Sequence, residues 1–181
     1  MATNAIITPE FRVSFPNVFK PQLPMNGAAG DPKYGLSMLF KKGEDLAALK
    51  ALANEACVEK FGSDKAKWPK NLRNPFRDQG EKDFDGYEEG AIFCSATSKM
   101  KPGLVNARND DIISEDEFYP GCYARAQITA FAYDTAGNRG VAFGLQNVQK
   151  LRDGEALGGR QSAAAVFGAV DTPDSTDGLF D

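Results

Sequence analysis

Cys122-Tyr-Ala-Arg-Ala-Gln-Ile-Thr-Ala-Phe-Ala-Tyr133 places Tyr123, Arg125, Gln127, Thr129, Phe131 and Tyr133 on one face. Strict alternation over such a run is the signature of a half-buried β-strand. Asp134-Thr-Ala-Gly-Asn-Arg-Gly140 follows and concentrates turn residues, which predicts a hairpin, and Val141–Val148 returns as the last strand.

Upstream, Gly103–Ala107 reads as a short strand. Ala91–Ser98 reads as a longer one, with Ile92 and Cys94 opposite Phe93 and Ser95. Tyr34–Phe40 carries Tyr34, Leu36, Met38 and Phe40 on one face and Leu39 on the other. Ile6–Phe15 alternates loosely around Ile7, Phe11, Val13 and Phe15, and Pro9 marks a bulge or an edge position. Between the strands, Leu46, Leu49, Ala53, Ala56 and Phe61 recur near helical spacing, so Gly43–Phe61 is the main helix, with Gly62 as its cap.

Pro16–Pro32, Ser63–Gly90 and Arg108–Tyr119 read as long loops. Five main strand candidates, with the short Gly103–Ala107 segment as an addition, one helix and long irregular connections suit a mainly β fold with one main helix (β+α). The leading architecture is an OB-fold-like five-stranded barrel with long loop insertions. Residues 1–168 form that domain, with a short helix expected around Ala163–Phe167. Residues 169–181 have too little to bury and are expected to be a disordered acidic tail.

Composition removes several kinds of chemistry. The chain has no histidine, which excludes Ser-His-Asp and Cys-His catalysis and histidine metal sites. Cys57, Cys94 and Cys122 are far apart and form no CxxC pair, so reduced buried thiols are expected, with no metal and no cofactor. Nothing approaches the apolar length of a membrane span or a signal peptide, so a cytoplasmic protein (in a host bacterium) is expected.

Charge is unevenly placed. Asp171, Asp174, Asp177 and Asp181 lie in a C-terminal stretch without Lys or Arg; without them, acids and bases are equal at 21 each. A neutral body can still hold phosphates where its cations cluster.

Lys65, Lys67, Lys70, Arg73 and Arg77 fall in one stretch with no acid before Asp78, interleaved with Trp68 and Phe76. Cations that neutralise phosphates beside aromatic faces that stack on unpaired bases are how single strands are held. Lys99, Lys101 and Arg108 follow a predicted strand, where barrel loops frame a groove. Lys33 and Tyr34 open another, and Tyr123 and Arg125 share a mixed polar and aromatic face. Asp110, Asp111, Glu115, Asp116 and Glu117 are where a metal nuclease would be sought, yet their spacing matches no such motif. In the tail, Asp174, Asp177 and Asp181 surround Leu179-Phe180, an apolar pair suited to docking on a partner.

The residue pattern also resembles a family. Phe11-Arg12-Val-Ser-Phe15-Pro16-Asn-Val-Phe19, Asp31-Pro32-Lys33-Tyr34, Tyr119-Pro-Gly121-Cys122-Tyr123-Ala-Arg125, Gly144-Leu-Gln-Asn147-Val148-Gln149-Lys150 and Asp153-Gly154 occur in a consistent order. Over nearly its full length the chain resembles tailed-phage single-stranded-DNA-binding proteins with an OB fold. The tail is similar to those that recruit replication and recombination or repair proteins and compete with DNA for the groove. It ends on Asp181 rather than on the aromatic itself.

The resemblance implies a non-enzymatic protein that coats single-stranded DNA, with duplex DNA as a second candidate ligand and no membrane partner. The alternatives are a metal-dependent nuclease using the Asp110–Glu117 carboxylates and an adaptor that binds no DNA.

Overall fold

The computed structural model describes residues 4–24, 30–135, 137–157 and 167–170. Its organising element is the predicted hairpin, longer than expected. Strand β7 (Tyr123–Thr135) pairs antiparallel with β8 (Asn138–Arg152), from Tyr123↔Arg152 to Thr135↔Asn138.

The pairing runs through most of the predicted turn, and Asp134 accepts from Arg139 Nε at 3.0 Å across it. Gly137, with φ 84°, supplies the left-handed backbone that a two-residue connection between right-twisted strands requires. Turn-rich composition overstated the loop because Asn138, Arg139 and Gly140 remain in the ladder.

The earlier strands are β1 (Ile6–Ile7), β2 (Phe11–Gln22), β3 (Lys33–Leu39), β4 (Arg77–Asp78), β5 (Ile92–Ser98) and β6 (Gly103–Val105). Five of the strands close a ring, in the order β2, β3, β5, β8, β7 and back to β2. The β5–β8 pairing is parallel, and the other pairings of the ring are antiparallel. Counted within the ring, the strands follow the order first, second, third, fifth, fourth. This is the OB-like barrel expected from the sequence, with β1, β4 and β6 as short additions to it.

Two boundaries differ from the sequence reading. Strand β2 continues past Phe15 to Gln22 despite Pro16 and Pro21. Beyond Val13, which still bonds Gly121 and Cys122, its described strand pairings are with β3 alone, so the prolines remove no donor from a second ladder. The register shifts between Ser14 and Asn17, and Phe15 takes φ 46° there.

Helix α1 (Ala47–Phe61) begins later than Gly43, because Gly43 turns the chain with φ 81° and the Asp45 carboxylate receives the Ala47 N–H at 3.0 Å. It ends as expected at Gly62, φ 93°, whose N–H donates to Val58 at 2.8 Å. Leu49, Leu52, Ala53, Ala56 and Cys57 face the barrel, against β7 and β8.

The core joins Phe11, Val13, Leu36, Met38, Phe40, Ile128, Phe143 and Leu145. Cys57, Cys94 and Cys122 are free and buried; burial pushes the Cys94 thiol up to about 12. The predicted loops are tied down as well: Ile112 and Phe118 enter the core, and the Ile112 N–H donates to Leu104 at 3.0 Å. Among the described residues no helix is long and apolar enough to cross a membrane. Most of the expected Ala163–Phe167 helix and residues 171–181 of the tail, with Asp174, Asp177, Leu179, Phe180 and Asp181, lie outside the described residues.

Candidate nucleic-acid interface

Alternation on β3 and β5 sends Leu36, Met38, Cys94 and Ala96 into the core, leaving Ser37, Ser95 and Thr97 outside. The Ser37 and Ser95 hydroxyls meet at 3.2 Å across the pair. Gly35 completes this floor; a Cβ there would strike the Ala96 carbonyl and Thr97. Small side chains thus make a shallow polar strip on the outside of the barrel.

Cations stand at both ends of the strip. At one end Tyr34 pairs with Ser98, so Lys33, Tyr34 and Lys99 come together where β3 begins and β5 ends, and the exposed Lys101 follows two residues on. Lys99 Nζ lies 3.4 Å from Asp31, an exposed pair. At the other end β4 lies on β5, and the Arg77 guanidinium sits 5.3 Å from the Phe93 ring centre while bonding Glu81 at 2.8 Å.

Residues 79–90 fold back over this end of the barrel, fastened by Gln79. Its amide donates to the Phe40 and Ile92 carbonyls and its oxygen accepts from the Glu88 N–H, each at 2.9 Å. The fold-back lays down a line of aromatic rings. Tyr87 meets Phe93 edge-on at 5.6 Å and its hydroxyl reaches Ser14 at 3.0 Å; Phe84 meets Tyr87 at 5.4 Å and Phe15 at 5.1 Å. Sequence reasoning missed Phe15, Gln79, Phe84 and Tyr87. The signal was two aromatics in a turn-rich acidic segment, where a solvated loop has no use for them.

The Lys65–Arg77 stretch is not one continuous strip. The Trp68 indole N–H donates to the Gly62 carbonyl at 2.7 Å, its ring packs on the core, and Lys65 lies 5.8 Å from its centre. Phe76 packs edge-on against the buried Phe143 at 5.8 Å. Arg73 joins the hairpin tip: its N–H donates to Arg139 at 2.8 Å and its guanidinium to Asn138 at 2.9 Å. Lys67 and Lys70 are exposed nearby in sequence.

Tyr123, Arg125 and Arg108 belong elsewhere. Arg125 bonds Gln149 at 2.8 Å on the β7–β8 wall, and Arg108 is exposed on the turn after β6. Among the described residues no group of three or more acids or cysteines is placed to hold a metal ion, the Asp110–Glu117 loop included.

After β8 the chain is latched back onto the barrel. Lys150 reaches Asp153 at 2.7 Å and the Glu117 carbonyl at 2.6 Å; the Tyr119 hydroxyl donates to the Gly154 carbonyl at 3.0 Å. Burial is the largest single influence on Lys150 and lowers its pKa, but the bond to and charge of the Asp153 carboxylate, with Cys122 and Tyr119, together outweigh it and raise the pKa. The bonds from Lys150 and Tyr119 hold the Asp153 carboxyl below its ordinary value.

Arg12 grips the Glu155 carbonyl at 2.6 Å, and the Leu157 N–H donates to Pro120 at 2.9 Å. The Leu157 side chain ends against Gly86, beside Phe84. A pocket of about 150 Å³ remains there, lined by Ser14, Phe15, Phe84, Asp85, Pro120 and Leu157.

Comparison with known proteins places this geometry. The family model for the ssDNA-binding protein of Enterobacter phage Enc34 matches residues 4–178. Protein p50 of Acyrthosiphon pisum secondary endosymbiont phage 1 is 32% identical over 158 residues, 82% of this chain and 83% of the relative. The single-stranded DNA-binding protein from bacteriophage Enc34, solved in complex with ssDNA, superimposes with a TM-score of 0.68 at 22% identity, over 86% of this chain and 90% of that one. The single-stranded DNA-binding protein gp2.5 of bacteriophage T7 gives 0.59 at 12% identity, over 95% and 100%.

Proposed function

The chain belongs to the phage single-stranded-DNA-binding protein family typified by that of Enterobacter phage Enc34, and on that premise we propose that it coats and protects single strands during phage replication, recombination or repair in the host cytoplasm. It is a binding protein and not an enzyme. The observation that carries the reading is the outer face of β3 and β5, a shallow floor between cationic ends. In OB barrels this face and the loops at its two ends take up oligonucleotides. The Enc34 relative, solved with ssDNA, has the same barrel.

Lys33, Lys99 and Lys101 at one end and Arg77 at the other are the proposed phosphate contacts, together with Arg73 at the hairpin tip and the exposed Lys67 and Lys70 in the segment before it. Tyr34, half-buried where β3 begins and on the side of Leu36 and Met38 rather than of the floor, is proposed to stack at that end of the strip. Trp68 and Phe76 serve by bracing the Arg73 segment. The acidic residues of 169–181 are proposed to modulate DNA binding and, with Leu179-Phe180, to dock replication or recombination proteins. Residues 1–168 form the DNA-binding domain in this reading.

The test is a titration of oligo-dT at several salt concentrations, using the full chain and a version ending at Gly168. Each phosphate contact adds about 0.7 to the slope of log K against log salt on single strands. A steep slope that falls in Lys33→Ala, Lys99→Ala and Lys101→Ala is expected, with tighter binding by the shortened chain. Affinity indifferent to salt would sink the reading. Equal affinity of the two chains would remove the tail's modulating role.

A further inference from the structure

Phe15 and Phe84 are half-exposed, at 52% and 47%, although each is a large apolar ring. They touch edge to face, 5.1 Å between centres. Phe15 holds this place with a backbone φ of 46°, a left-handed conformation that a bulky residue rarely adopts and that the bulge in β2 imposes. A backbone held in that state to present a ring to solvent points to a use for the ring.

The surroundings say what kind of ligand fits. The pocket beside the two rings, about 150 Å³, is of the size of an apolar cavity that takes up one benzene-sized ring. Ser14 and Asp85 add polar edges to an otherwise apolar lining. Phe15 also borders a second, larger groove of about 500 Å³ running along β2, where Asn17, Lys20 and Gln22 face Glu115 and Tyr119. An aromatic notch thus opens onto a groove of mixed polar and apolar lining that carries one cation, Lys20, and one acid, Glu115.

We propose that Phe15 and Phe84 form a base-binding notch, in which one unpaired nucleobase stacks while its phosphate passes toward Lys20. The proposal rests on the single-strand reading and deepens it. It adds a contact point on the β2 side of the fold-back, where a base locked in a duplex could not enter. Leu157 forms the wall opposite the rings, so the latched segment after β8 sets the width of the notch.

The test measures affinity of the full chain, Phe84→Leu and Phe15→Leu for oligo-dT and for an abasic oligomer with the same phosphates. Loss of one stacked base is expected to weaken dT binding about tenfold. The salt slope and the abasic affinity should stay at the parent's values, and Phe84→Tyr should restore dT binding. Phe84 stands on a surface segment, so its variants decide the matter if Phe15→Leu folds poorly. Unchanged dT affinity in Phe84→Leu, or an equal loss on the abasic oligomer, would overturn the notch. Failure of the parent to bind dT would instead overturn the single-strand reading.

Discussion

The Arg152 guanidinium lies 3.8 Å from the centre of the Tyr123 ring and is anchored to Glu10 at 3.0 Å. Arg12 approaches the same ring at 5.8 Å. A ring face already covered by a cation is not offered to a base. Tyr123→Leu is therefore expected to lower the urea midpoint while changing oligo-dT affinity less than about twofold, against about tenfold for a stacked base. A tenfold loss would place a base on Tyr123 after all.

Gln79 is buried and makes three hydrogen bonds, so truncating it strands their partners. Gln79→Leu should destabilise the fold by about 2–3 kcal/mol in urea unfolding. Gln79→Glu turns a carboxylate oxygen toward two carbonyls, which raises its folded-state pKa. The folded state then binds the proton more tightly than the unfolded, so the deficit at pH 7 should shrink as pH falls. A deficit independent of pH would contradict this geometry.

The latch has its own pH dependence. Asp153 is held below its ordinary pKa, so its contribution is present above the ordinary carboxylate range and is lost as pH falls through the lowered value. Lys150 is raised, so its contribution persists up to the ordinary lysine range and is lost above it. Amide exchange at Leu157, whose N–H bonds Pro120, should stay slow at neutral pH. In Asp153→Asn it should be faster at neutral pH and change less on acidification. Identical protection in the two proteins would remove Asp153 from the latch.

Gly121 takes φ 112°, and a Cβ there would collide with the Glu155 backbone. Gly62 also has a positive φ, 93°, but opens onto empty space. Gly62→Ala should cost about 2 kcal/mol for the backbone alone, since φ 93° and ψ 171° suit glycine only. Gly121→Ala should cost more than Gly62→Ala, because strain and collision add. Urea melts of the two variants compare them directly; equal losses would mean the segment after β8 yields freely.

Periodicity revealed the barrel wherever one strand face was buried. Tyr123–Tyr133 and Tyr34–Phe40 were legible because water on one side and core on the other imposes a two-residue repeat. Phe15–Gln22 was not, since its bulge breaks the repeat and its prolines signal a loop. The cations were visible as residue types, but their grouping depends on register: Lys33 and Lys99 meet only through Tyr34↔Ser98. Trp68 and Phe76 looked like stacking residues because composition cannot distinguish a ring facing solvent from one packed on Phe143. Phe84 and Tyr87 stayed hidden because the hydrogen bonds of Gln79, and no local pattern, bring their segment back over the barrel.

The parallel pairing of Ala96 with Phe143 and Thr97 with Gly144 has a consequence for the order of synthesis. Strands β2, β3, β4 and β5 leave the ribosome with the Ala96–Thr97 part of one β5 edge open, and that part waits until β8 has emerged. The β7–β8 hairpin is local and forms quickly, whereas the closing contact spans a long loop and comes late. During that interval the nascent chain exposes an unpaired strand edge, the kind of surface on which chains join one another. Slowing translation between residues 98 and 138 lengthens that interval and should therefore increase aggregation of the nascent chain, and faster translation through the same stretch should reduce it.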